Sequence, residues 1–253
     1  YDNGPFEDSL RALGFQIPRD LRSNYANTLL SITSFLNFAQ VQPISKVMSP
    51  GSKDFTPVAY LMEHNRAERF LKSQGYKFVF FPSAWYSPTL TNSDADEQYD
   101  PYKHFSLARA IHRSWLAQYF ADMTMFSKFM PRMASENKVD ADHEMLDVAG
   151  VPSIAADPRP TFTFVHVLMP HLGFKVDSAC APLVRSPGTT GLSGELKGRN
   201  RQTLKLVHAL IARSSVQPII ILQGDHGSQS PAQRAWRRSR LGRWRCCDRA
   251  RGP

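Results

Sequence analysis

Two hydrophobic periods run along this chain, and the switches between them mark out its elements. Phe6, Leu10 and Leu13 recur at i, i+4 and i+7 and stop at Gly14, which predicts a short amphipathic helix with a glycine C-cap leading into a strand. Ser23-Asn-Tyr-Ala-Asn-Thr28 then sets small polar residues ahead of the apolar-periodic run 29–37, the pattern of a loop entering a helix N-terminus. Residues 54–74 predict a helix with Val58, Leu61, Met62, Phe70 and Leu71 on one side, ended by Gly75. The aromatic run 76–81 predicts a strand. Pro, Asn, Asp and Ser dominate 83–102, a loop of the length that in compact domains is often functional. A helix rich in Met and Phe is predicted over 105–133, a polar surface connection over 134–160, and a further helix over 197–213. Two apolar runs, Thr161-Phe-Thr-Phe-Val-His-Val-Leu168 and Pro218-Ile-Ile-Ile-Leu222, have the composition of strands buried on both faces of a parallel sheet. Helix and strand patterns alternate, so the chain reads as α/β, with a mostly parallel central sheet and helices on both faces. No internal repeat is present.

Composition refines this picture at one end of the chain. With 253 residues, 42% hydrophobic and 21% charged, the protein falls in the globular range and is long enough for one sizeable α/β domain or two small ones. No run of about 18 apolar residues occurs, so no segment of the sequence reads as a membrane span. The net charge is +9, but residues 232–253 hold eight arginines against the single acid Asp248, which is +7 of it. Residues 1–231 are thus nearly neutral, which argues against a nucleic-acid partner for the body of the chain. The division expected is a domain over 1–231 and an Arg-rich tail over 232–253. The tail also carries Trp236, Trp244, Cys246 and Cys247, lacks apolar periodicity, and reads as disordered or as the product of a shifted frame. Basic residues interleaved with aromatics also suit a polyanion-binding arm. Cys180 alone remains in the body, too few for a disulfide framework or a cysteine-rich metal site.

Candidate chemistry gathers where strands are predicted to end, because ligands of open α/β sheets bind beyond the carboxyl ends of the strands. The run 218–222 continues into Gln223-Gly-Asp225-His226-Gly227. An Asp followed by a His offers a carboxylate oxygen and an imidazole nitrogen to Zn²⁺ or Mn²⁺, and the glycines let the backbone turn sharply. The same residues describe equally well a strand-ending turn with a chance Asp-His pair. His171, just past the run 161–168, is placed to donate to a phosphate or sulfate oxygen, whereas His166 inside the run reads as a satisfied core histidine. Thr28 stands at the predicted helix N-terminus, where backbone N–H groups and the helix dipole favour an anion. A hydroxyl there, beside a metal, can serve as a nucleophile, while the local pattern alone reads as a plain N-cap threonine.

Taken together and in order, these segments resemble the sulfatase-like branch of the alkaline phosphatase superfamily, nearest to bacterial membrane-anchored proteins related to lipoteichoic acid synthases. The matching stretches are Tyr1-Asp-Asn-Gly-Pro-Phe6 with Leu13-Gly-Phe15, Ser23-Asn-Tyr-Ala-Asn-Thr28 with Ser31 and Ser34-Phe-Leu-Asn37, Gly75-Tyr-Lys77, residues 92–96, Phe164-Val-His166 with Pro170-His171, and Gly224-Asp-His-Gly227. The resemblance implies an alkaline-phosphatase-like fold and a metal-dependent phospho- or sulfo-ester hydrolase or transferase. In it Thr28 is the nucleophile and a metal ligand, Asp225 and His226 are metal ligands, and His171 binds the substrate oxyanion. The cofactor is a divalent cation: Mn²⁺, Zn²⁺, Mg²⁺ or Ca²⁺. The substrate is a phosphate or sulfate ester, lipid-linked ones included. A threonine favours a phosphoryl-type intermediate over formylglycine sulfatase chemistry, and no Cys-x-Pro-x-Arg motif occurs. The implied setting is the bacterial cell membrane, with the catalytic domain outside the cytoplasm and the membrane reached through segments other than these.

The family also supplies an acidic ligand ahead of the stretch matching Tyr1 and a further histidine after Gly-Asp-His-Gly. On that comparison the domain reads as incomplete, and the expectation for the chain as it stands is weak metal binding and little ester turnover. Two alternatives remain: a non-catalytic remnant of the same fold without a working metal site, and a protein that binds polyanions through its tail.

Overall fold

Lys77-Phe-Val-Phe-Phe81 owes its place to its aromatic and β-branched side chains, which fit a pleated surface buried on both sides. It forms β1 (Lys77–Phe81), the middle strand of a three-stranded sheet ordered β2-β1-β3, where β2 is Glu97–Gln98 and β3 is Thr161–Val165. Both neighbours run parallel to β1; Lys77 pairs with Thr161 and Phe81 with Val165, and Val79 and Phe80 pair with Glu97 and Gln98. The register stacks aromatic rings across the strands, Phe78 on Phe162 at 5.3 Å and Phe80 on Phe164 at 6.1 Å between centroids. On the opposite face Phe81 stacks on Tyr99 at 4.8 Å. The computed structural model describes residues 2–18, 21–41, 44, 52, 54–83, 91–99, 123, 158–168, 177–179 and 192–227.

Helices α1 (Gly4–Ala12), α2 (Thr28–Leu36), α3 (Thr56–Glu63) and α4 (Arg66–Ser73) precede β1, and α5 (Leu192–Arg213) follows β3. The core between helices and sheet is built by α2 and α3. Leu29, Ile32 and Leu36, spaced along one face of α2, pack with Val58 and Met62, and Phe35 and Phe164 close over them. Leu36 and Met62 stand opposite Phe78, Phe80, Phe162 and Phe164 of the sheet. Seven of the nine residues of α2 are buried, so this helix is a rigid platform rather than a surface element.

Helix ends follow the punctuation in the sequence. Gly14 and Gly75 adopt φ of +89° and +84°, the left-handed conformation that glycine reaches without a Cβ clash. Each closes a Schellman motif: Phe15 N–H donates to the Leu10 carbonyl after α1, and Tyr76 N–H to the Leu71 carbonyl after α4.

Several expectations need correction. The helix predicted over 54–74 is two helices, because Asn65 turns extended and its side chain accepts from Glu68 N–H at 2.9 Å, capping α4. No strand follows Gly14; residues 15–18 lack regular structure. Helix α5 begins at Leu192, five residues ahead of the expected 197. The run 161–168 is strand only to Val165 and half-buried, since β3 has β1 on one side and no further strand on the other among the described residues. The largest departure is at 218–222, expected as a second buried strand. These residues pair with no strand among the described residues, and Ile219 is 93% exposed and Ile221 79%. β-propensity alone does not hold a strand together; without a partner ladder among the described residues, Ile219 and Ile221 are left exposed.

The described residues are thus α/β with a small parallel sheet. None of their helices is long and apolar enough to cross a membrane. The helix expected over 105–133, apart from Met123, the connection 134–157 and the tail 232–253 lie outside the described residues.

Candidate functional site

The site is assembled at the N-terminus of α2. Asn27 takes the N-cap position in extended conformation, and its side-chain oxygen accepts from Leu30 N–H at 3.2 Å. Its backbone carbonyl accepts from Ser31 N–H at 2.9 Å. Thr28 is therefore the first helical residue and not the cap, so its hydroxyl is spared for other work. The backbone N–H groups of Thr28 and Leu29, at the first two helical positions, point out of the helix end, where an anion is favoured.

Residues 225–227 come to this helix end from the far end of the chain. Thr28 Oγ1 lies 3.2 Å from His226 Nε2. Ser31, one turn further along α2, donates its hydroxyl to the backbone carbonyl of Asp225. Within the turn, one carboxylate oxygen of Asp225 (Oδ1) accepts from His226 N–H at 2.8 Å, and the other, Oδ2, lies 3.4 Å from His226 Nε2. The second ring nitrogen, Nδ1, is 2.9 Å from the Gly227 carbonyl. A carbonyl only accepts, so Nδ1 carries a proton and donates. In the neutral ring Nε2 then holds a lone pair, and the Thr28 hydroxyl donates to it.

That assignment leaves two acceptor atoms, His226 Nε2 and Asp225 Oδ2, only 3.4 Å apart. A positive charge between them resolves the conflict: either a second ring proton or a cation. For a cation with bonds of about 2.0–2.1 Å, tetrahedral geometry separates ligand atoms by about 3.3–3.4 Å. The 3.2 Å and 3.4 Å separations about Nε2 match that spacing. Thr28 Oγ1, Asp225 Oδ2 and His226 Nε2 therefore fit a divalent cation as a partial ligand set of two oxygens and one nitrogen. Among the described residues no group of three or more His, Cys, Asp and Glu side chains is placed to hold a metal, so the third donor here is a hydroxyl.

The carboxyl ends of the sheet strands contribute a second pair. Ser83, two residues past β1, is buried and lies 2.8 Å from Nδ1 of His166, which directly follows β3. Burial pushes the His166 imidazole below its ordinary value of 6.5, and the negative charge of Asp225 partly counters this. His166 is thus a satisfied histidine, as its place in the run leads one to expect, and it also feels the charge of Asp225.

Of the residues expected from sequence, the structure brings together Thr28, Asp225 and His226. His171 lies outside the described residues. Ser31, Ser83 and the link from His166 to Asp225 were not anticipated. Ser31 was findable, since it follows Thr28 by three positions and so shares its helix face. The Ser83–His166 contact depends on strand pairing across 83 positions of sequence, which no local pattern encodes. Comparison of the chain with protein-family models, with curated proteins and with solved structures finds no match.

Proposed function

We propose that Thr28, Asp225 and His226 form the nucleophilic and metal-binding centre of a phospho- or sulfo-ester hydrolase or transferase built on an alkaline-phosphatase/sulfatase-like α/β frame. One observation carries the reading: His226 Nε2 lies 3.2 Å from Thr28 Oγ1 and 3.4 Å from Asp225 Oδ2, separations of the size metal ligands take, at a helix N-terminus suited to an anion. A divalent cation at that point, whether Mn²⁺, Zn²⁺, Mg²⁺ or Ca²⁺, supplies charge neutralisation and eases loss of the Thr28 proton.

The chain's own residues do the rest. Asp225 and His226 hold the turn's charge and lone pair against Thr28. The N–H groups of Thr28 and Leu29 receive an oxygen of the substrate ester. Thr28 gives up its proton to solvent as Oγ1 bonds phosphorus or sulfur, and the ester oxygen leaves and takes a proton from solvent. Water or an alcohol then displaces Thr28, and the proton of the attacking group restores the Thr28 hydroxyl. The substrate class is a phosphate or sulfate ester, lipid-linked ones included. The resemblance places such an enzyme at a bacterial membrane, facing out of the cytoplasm.

Because little ester turnover is expected of the chain as it stands, the test is to trap the covalent step and not to follow product. Incubation with an aryl phosphate and Mn²⁺, followed by acid quench and peptide mass spectrometry, should yield a phosphoryl group on Thr28, and an aryl sulfate run in parallel decides between the ester classes. Asp225→Ala should abolish the adduct. A chain that stays unmodified with both esters, while still binding Mn²⁺, contradicts the nucleophile assignment and supports the non-catalytic alternative.

A further inference from the structure

Among the described residues, no strand pairing of residues 216–222 supports the Asp225–Gly227 turn. Within that segment Val216, Ile219 and Ile221 are all strongly exposed. Among the described residues, the hydrogen bonds that tie 215–227 to the rest of the protein are two, and both end on the first turn of α2. One is Thr28 to His226, between groups assigned to the chemistry. The other is Ser31 to the backbone carbonyl of Asp225.

We infer that Ser31 is a positioning residue, whose hydroxyl clasps the Asp225 carbonyl to α2 and thereby sets the separation of Thr28 Oγ1 from His226 Nε2 and Asp225 Oδ2. The inference rests on the proposed cation site, and assigns the residue that keeps that site assembled. Ser31 is suited to this. It is buried, it sits on a helix that is itself almost wholly buried, and it shares the Thr28 face one turn along. Its acceptor is a main-chain carbonyl, so the clasp leaves the Asp225 carboxylate and both ring nitrogens of His226 uncommitted to Ser31. With no strand paired to the preceding segment among the described residues, loss of this bond lets the turn drift while Thr28 stays in the helix. Ligand atoms then lose the fixed separation on which cation affinity depends.

The experiment is a Mn²⁺ titration of the 253-residue chain, followed by the signal of free Mn²⁺, alongside thermal unfolding without metal. Ser31→Ala should weaken Mn²⁺ binding about 10–100-fold, the range typical of residues that orient metal ligands. Ser31→Thr, which keeps the hydroxyl, should restore most of it. Ser34→Ala is the control, because Ser34 is a similarly buried hydroxyl of the same helix that bonds Asn24 instead of the turn. It should lower the unfolding temperature as much as Ser31→Ala does and leave Mn²⁺ affinity unchanged. Equal affinity in the unaltered chain and Ser31→Ala overturns the positioning role while leaving the cation site intact. Equal weakening in Ser31→Ala and Ser34→Ala reduces Ser31 to general helix packing. No Mn²⁺ binding by the unaltered chain overturns the site and the clasp together.

Discussion

Single residues in this protein are most informative where they break a local preference. Phe38 closes α2 with φ of +51°, a left-handed conformation that a bulky side chain adopts at a cost of about 1–2 kcal/mol. Its backbone makes the same closure that glycine makes after α1 and α4, with Ala39 N–H donating to the Ser34 carbonyl at 3.1 Å. The ring is 76% exposed and offsets little of that cost by packing. Phe38→Gly should therefore stabilise the chain by about 1 kcal/mol, read as a higher denaturant midpoint at unchanged slope; a loss of stability would show that the ring packs on the body after all. Asn27 teaches a related lesson about legibility. The polar run before α2 marks the helix start, yet which residue caps it is a matter of one position, and that position decides whether Thr28 spends its hydroxyl on the helix or offers it to His226.

Elements were legible where their own sequence completes them. Gly14 and Gly75 end helices as read, and the aromatic run at 77–81 is a strand. The break between α3 and α4 was missed because apolar spacing continues through it. Its signal was present in Asn65-x-x-Glu68, the spacing of a capping box. That box has a further consequence. Glu68 is 1% exposed, and its carboxylate accepts from Asn65 Nδ2 at 3.2 Å. Burial foremost, then the charge of Asp94, pushes its pKa from 4.5 up to about 7; Lys72 and His64 pull the other way, and Asp96 adds to the rise. The folded chain thus holds this proton more tightly than the unfolded chain. The contribution is complete below about pH 4.5 and is lost as pH rises through about 7. Relative to Glu68→Gln, the unaltered protein should lose on the order of 2 kcal/mol between pH 5 and pH 8. Unfolding curves of the two proteins at both pH values check this. A constant difference between them would mean that Glu68 does not change its charge in that window.

At the scale of the whole molecule, the α/β class follows from the alternation of patterns, but the depth of each strand does not. Burial depends on what lies alongside. β1 is buried because it lies between β2 and β3 in a sheet on which α2 and α3 pack, while the equally apolar 218–222 has no such neighbours among the described residues. Lysine at Ile219 and Ile221 together should accordingly cost less than about 0.5 kcal/mol, where a strand buried on both faces would cost several. A large drop in the denaturant midpoint would return this run to the core. The long-range meeting of residues 28 and 226 was not legible from spacing at all; it joins a helix start to a turn 198 positions away. On that meeting the functional account depends, and Mn²⁺ binding tests it most directly. Titrated with Mn²⁺, the chain should bind one ion, and Asp225→Ala and His226→Ala should each weaken binding by more than about 100-fold, beyond the range usual for residues that merely orient ligands. Binding that is undiminished in both variants would contradict the assignment of Thr28, Asp225 and His226 as a metal centre.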